Sequence, residues 1–243
     1  MQAIDMALRS QPHFNRPAVC LYVLIIFLWT LANKTVLPSF STDWISYWAF
    51  ELITSIGLPL VLLLVLKYRF GVAPSAYGLC TPAKSEFANA LLAFGTAVVA
   101  FYFVMNPLRE WMWTLMWRFG SAVELQAAFV QAGSQNEMLQ FEAFGGPHAE
   151  FFMVIDLAGA SLIEEVIYRA LLYRLLVPRT TVYLVVSSSL FATIHYDQGL
   201  LGILSSLVFG VVAATIFLWV KNVWPLAFAH YATNLIALLD ISN

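Results

Sequence analysis

Charge is scarce in this chain. Only 11% of its 243 residues are Asp, Glu, Lys or Arg, against about 25% in an ordinary soluble domain. So few charges cannot cover a water-facing surface of this size, which excludes most soluble classes and disordered chains alike. Basic residues are few as well. Twelve Lys and Arg against fourteen Asp and Glu leave a net charge of −2 with no basic block, so nucleic acid is not an expected partner. Cysteine is nearly absent. Cys20 and Cys80 are far apart and form no CxxC pair, which excludes a disulfide scaffold and a cysteine-rich metal site. There is no internal repeat and no polar stretch long enough for a second, soluble domain.

What fills the chain is apolar: 61% of residues are hydrophobic. A membrane helix needs about 20 mostly apolar residues. The sequence predicts seven such segments, at 17–32, 44–66, 87–105, 151–176, 180–194, 200–220 and 223–239. The expected fold is therefore all-α, a multi-pass transmembrane helix bundle. The first segment has no small-residue cleavage site after it and reads as a span rather than a leader. With the N-terminus in the cytoplasm, Arg9, Arg16, Lys67, Arg69, Lys84, Arg174, Arg179 and Lys221 fall inside and only Lys34, Arg109 and Arg118 outside, the bias that cytoplasmic loops carry. Residues 1–150 read as N-terminal spans plus an outer loop, and 151–243 as a C-terminal bundle within one integral membrane domain. In the long connection 106–150, Trp111, Trp113 and Trp117 suit an interfacial helix, and Ser121 to Gln140 a short amphipathic helix or lid.

Five charges remain inside predicted spans: Glu51, Asp156, Glu164, Glu165 and Arg169. Each costs at least about 2.5–3.5 kcal/mol at mid-membrane, so each should face protein or a wet cavity. Three sit together in Ser161-Leu-Ile-Glu164-Glu165-Val-Ile-Tyr168-Arg169. Glu165 and Arg169 are i,i+4 and can pair on one helix face. Glu164 is turned by about 100° from Glu165 and has Ile167 and Tyr168 at i+3 and i+4. Its own helix offers it no ion pair, and a carboxylate so placed suits acid–base work. Histidines follow in Phe191-Ala-Thr-Ile-His195 and in His230-Tyr-Ala-Thr-Asn234, each an i,i+4 pair that can either join helices or take part in catalysis. Spans four and five turn near Arg179, with Glu164 and His195 each about 15 residues, or ~23 Å, from the turn, so they can meet. His230 falls only about 12 Å beyond the Lys221–Asn222 turn, and Asn234 lies nearer the right depth. Either that turn lies deeper, or Pro225 and helix tilt make up the difference. Gly202, Ser206, Gly210 and Ala214, each four apart, form a stripe for close helix contact.

In this order, on successive apolar spans, the three patterns resemble the CAAX protease and bacteriocin-processing (CPBP, Abi) family of intramembrane proteases. EExxxR matches Glu164 to Arg169, FxxxH matches Phe191 to His195, and HxxxN matches His230 to Asn234. The resemblance covers about Gly159 to Asn234. It implies an endopeptidase of glutamic type in which Glu164 and His195 activate a water, His230 and Asn234 stabilise the oxyanion, and Glu165, Arg169 and Phe191 support the site. It also implies a peptide or membrane-anchored protein as substrate, the lipid bilayer as surroundings, and a bacterial cytoplasmic membrane as location. No cofactor is expected; zinc, held by two His and a Glu, is the alternative. Marks of other intramembrane proteases are missing: no HExxH (His148-Ala-Glu150 has the wrong spacing), no GxGD, and no GxSG around Ser187, Ser188 and Ser189, which read instead as helix-joining hydroxyls. The remaining alternatives are a non-catalytic scaffold of the same family and a proton-coupled transporter. Substrate identity, oligomeric state and the side on which the site opens are not legible in the sequence.

Overall fold

The computed structural model describes residues 15–40, 44–79, 87–120, 123–124, 127 and 149–241. Every regular element among them is helical. Lipid offers no hydrogen bonds, so a backbone must satisfy itself within its own segment, and the helix does this. The segments run together into seven rods among the described residues. Helix α1 is Arg16–Phe40. Helix α2 (44–70) joins Trp44–Leu52, a π turn at Ile53–Gly57, and Leu58–Phe70. A 3₁₀ turn at Pro74–Tyr77 follows. Helix α3 (87–118) joins Phe87–Val98, a π turn at Val99–Val104, and Met105–Arg118. Helix α4 (149–176) joins Ala149–Glu165, a π turn at Val166–Leu171, and Leu172–Leu176. Helix α5 is Thr180–Thr193, a 3₁₀ turn occupies Tyr196–Gln198, α6 is Gly199–Val220 and α7 is Trp224–Ile241.

All seven apolar segments are thus helical, and the chain is an all-α membrane bundle. By length and composition Arg16–Asn33, Ile45–Phe70 and Tyr196–Val220 suffice to cross a bilayer, while Phe87–Phe103 and Thr180–Thr193 are apolar but shorter. The outer faces carry large apolar side chains: Leu21 and Leu28 on α1, Val61 and Leu64 on α2, and Leu91 and Leu92 on α3 are all more than half exposed. Water would not tolerate such contiguous apolar surface; acyl chains do. The connection expected to begin at Asn106 is corrected. Helix α3 runs on to Arg118. Pro107 has no N–H to give, but the π turn just before it already departs from i→i−4 bonding, so the rod passes the proline without ending. Trp111 and Trp117 stay exposed on that extension. The lid expected at Ser121 to Gln140 lies almost wholly outside the described residues.

Two close approaches align the C-terminal helices. The small-residue stripe of α6 is buried against α5, and a Cβ built on Gly210 would lie 2.9 Å from the Ser188 Cα. The second approach sets depth. The Val223 N–H donates to Gly78 O at 3.0 Å. Gly78 itself sits in the left-handed region at φ +69°, and a Cβ on it would meet Val223 Cγ2 at 2.5 Å and Ala170 Cβ at 3.3 Å. The α6–α7 turn is therefore sunk to the level of Ala170. From there Glu164 is six residues back along α4 and His230 seven residues on along α7, about 9 and 10 Å at 1.5 Å per residue. This resolves the depth mismatch expected for His230: the turn lies deeper.

Gly71 provides the comparison that tests this joint. It has φ +67° but open space around its missing Cβ. Gly71→Ala should cost only the left-handed strain, about 1–2 kcal/mol. Gly78→Ala should add overpacking against Val223, about 1–3 kcal/mol more. Unfolding in detergent micelles measures both; equal losses would contradict a packed joint at Gly78.

Candidate active site

At the centre of the C-terminal helices lies a fully buried ion pair. Arg169 Nε and Glu165 Oε2 are 3.1 Å apart, both side chains 0% exposed. The i,i+4 spacing read from the sequence produces this contact, even though the π turn begins at the next residue, Val166. Arg169 is held from three sides. Its guanidinium also donates to Ser187 Oγ on α5 at 3.1 Å, and Ser187 passes its own hydrogen to Tyr168 O at 2.6 Å. On a further side, its Cζ lies 4.7 Å over the Phe191 ring, a cation–π contact that gains strength out of water.

Glu165 has a second partner. His230 Nδ1 is 3.2 Å from Glu165 Oε1. An ionised carboxylate only accepts, so Nδ1 carries the hydrogen. That turns the other ring nitrogen, Nε2, toward Glu164, whose Oε2 is 3.9 Å away. The ring is thus set between two neighbouring carboxylates of one helix. Glu165 is sealed, while the Glu164 side chain is 23% exposed. The rotation of about 100° between adjacent helical residues puts one carboxylate in the core and the other in an opening.

His195 lies two residues past the end of α5, where the chain has left the helix with φ −100° and ψ 22°. Its Nδ1 is 2.8 Å from Phe191 O. A carbonyl also only accepts, so here again Nδ1 bears the hydrogen and Nε2 keeps the lone pair a base needs. Phe191 therefore does two things: its carbonyl fixes the His195 tautomer, and its ring lies between Arg169, His195 and Phe209, the last stacked at 5.2 Å. Phe209 also contacts the His230 ring at 4.7 Å. Both imidazoles are oriented by aromatic walls as well as by hydrogen bonds.

Glu164, His195, His230 and Asn234 all line one cavity of about 570 Å³. The four residues picked out by the three motifs are thus brought together, with His230 and Asn234 one turn apart on α7. Glu165, Arg169 and Phe191 lie behind them, buried. The cavity also has walls that the motifs did not indicate. Helices α1 and α2 contribute Asn33, Glu51 and Ser55, and α4 contributes Asp156 two turns before Glu164. Glu51 and Asp156 had a signal, a charge at mid-span; Asn33 and Ser55 had none. As for zinc, no group of three His, Cys, Asp or Glu comes together in a metal-holding arrangement among the described residues.

The ion pair predicts a thermodynamic asymmetry. Glu165→Gln leaves Arg169 buried without its counter-charge and should cost about 3–5 kcal/mol. Adding Arg169→Met should recover most of that loss, because an apolar pair of similar volume needs no neutralisation. Chemical unfolding of both variants in micelles measures it. A single-variant loss below about 1 kcal/mol, or no recovery in the double variant, would contradict the pairing.

Residues 147–236 match the family model described as type II CAAX prenyl endopeptidase Rce1-like. No curated protein and no solved structure matches the chain. The matched stretch, a little over a third of the chain, contains the whole of α4, both imidazoles and the carboxamide of Asn234, and it is this C-terminal part that is similar to that endopeptidase family.

Proposed function

We propose that this protein is a glutamic-type intramembrane endopeptidase that hydrolyses a peptide bond with a water activated by Glu164 and His195. The observation that carries the reading is the shared cavity: Glu164, His195, His230 and Asn234 line it together, and a buried, ion-paired carboxylate holds His230 from behind. Water is a weak nucleophile, so a base must take its proton as it attacks the carbonyl carbon. Glu164 and the lone pair on His195 Nε2 are the two basic groups on that wall. The carbonyl π bond opens to an oxyanion, which needs donors aimed at it. The Asn234 carboxamide is one. His230, in its doubly protonated form, is the other: Nδ1–H goes to Glu165 and Nε2–H to the oxyanion. When the tetrahedral intermediate collapses, the C–N bond breaks and the proton taken from water passes to the leaving amine. Glu165 and Arg169 position His230 and touch no reacting atom. No step calls for a metal. The location that goes with this reading is a bacterial cytoplasmic membrane.

The reading predicts that Glu164→Gln lowers turnover of a membrane-protein substrate by about 10²–10⁴-fold while changing the unfolding midpoint little, since the Glu164 side chain is partly open. Wild-type activity should survive exhaustive treatment with a strong zinc chelator. Full activity in Glu164→Gln, or activity lost on chelation and restored by stoichiometric zinc, would sink it.

A further inference from the structure

Part of the cavity lining has no role in the hydrolytic reading. Asp156 lies on α4 in the span predicted at 151–176, where a carboxylate is costly, and its one hydrogen bond among the described residues comes from Ser55, at 2.7 Å to Oδ1. Oδ2 has no protein partner there. Two further polar atoms, on residues that line the same cavity, are more than nine-tenths buried and also lack a hydrogen-bond partner: Asn33 Oδ1 and Ser161 Oγ. The Asn33 amide nitrogen is turned the other way, toward Glu51 Oε2 at 3.3 Å, so its carbonyl is the group left over. A buried acceptor without a donor costs about 1–3 kcal/mol, and here two acceptors and the Ser161 hydroxyl belong to residues that line one cavity. Four carboxylates line the cavity and no lysine or arginine does among the described residues.

We propose that this part of the lining, centred on Asp156 with Asn33 and Ser161, is a specificity subsite for a basic side chain, Lys or Arg, of the protein substrate. An ammonium or guanidinium brings donors only, which matches an acceptor-rich wall. It also supplies the charge that a buried carboxylate otherwise lacks. The subsite has a definite distance from the chemistry. Asp156 precedes Glu164 by eight residues in the α-helical segment Ala149–Glu165, about 12 Å. An extended peptide advances about 3.3–3.6 Å per residue, so the basic residue belongs within about four residues of the scissile bond, on one side of it. This inference rests on the hydrolytic reading above.

The test is a cleavage profile. Full-length protein in micelles is given a library of peptides from membrane proteins, once with free and once with acetylated α-amines. Cuts absent with Glu164→Gln are mapped by mass spectrometry. The subsite predicts Lys or Arg enriched about tenfold within four residues on one side of these cuts, the strength of one charge-assisted contact, in both libraries. Asp156→Asn should flatten that enrichment, and Asp156→Glu should retain it. Glu164-dependent cuts with no basic enrichment in the wild type would overturn the subsite and leave hydrolysis standing, whatever the folding of any variant. Enrichment that persists in Asp156→Asn would overturn it too, and enrichment confined to free α-amines would show that the wall reads a terminal ammonium instead. If no cut depends on Glu164, the hydrolytic reading fails and this inference falls with it.

Discussion

A guanidinium with no exposed surface, inside a bundle whose outer faces are apolar, must be neutralised where it stands. Arg169 is that group, and the arrangement around it follows from meeting its needs. Glu165 supplies the counter-charge, Ser187 accepts from the guanidinium, and Phe191 offers a ring face. Each of these partners is then fixed by its own duty to Arg169. Because Glu165 cannot turn away, its other oxygen points at His230 Nδ1. Because Phe191 is held under the guanidinium, its carbonyl is in place for His195 Nδ1. One buried charge thereby sets the orientation of two imidazoles on two different helices. A buried ion pair is weak evidence for added stability; its use as a device that selects one geometry is the better account here.

The two halves of the chain divide the cavity. Helices α4 to α7 bring Glu164, His195, His230 and Asn234, while α1 and α2 complete the lining through Asn33, Glu51 and Ser55. The halves are tied by the Ser55–Asp156 hydrogen bond and by the Gly78–Val223 backbone bond. The second of these matters most to the proposed chemistry, since it sinks the α6–α7 turn and so brings His230 level with Glu164. A loop between two N-terminal helices thus sets the depth of a histidine about 150 residues later in the chain.

Much of this is legible in the sequence, for identifiable reasons. The helices are, because lipid admits nothing else and apolar runs of the required length stand out. The Glu165–Arg169 pair is, because i,i+4 spacing is local geometry. The separation of Glu164 from Glu165 follows from helical rotation alone. What escapes a sequence reading depends on contacts between distant segments. The depth of His230 depends on where a turn docks, which Gly78 decides through a left-handed φ and a missing Cβ. The continuation of α3 past Pro107 depends on a π turn that no residue pattern announces. Ser55 and Asn33 are ordinary polar residues on apolar helices until Asp156 and Glu51 are placed beside them.

The central claim is that Glu165 acts on the proposed reaction only through His230. A double-mutant cycle on turnover measures this directly, with rates taken on folded protein well below each variant's unfolding midpoint. If the account holds, Glu165→Gln and His230→Gln each slow cleavage, and adding Glu165→Gln to His230→Gln slows it no further, because the group that Glu165 positions is already gone. If the two losses multiply instead, Glu165 reaches the reacting atoms by another route, and the account of how this site is organised is wrong.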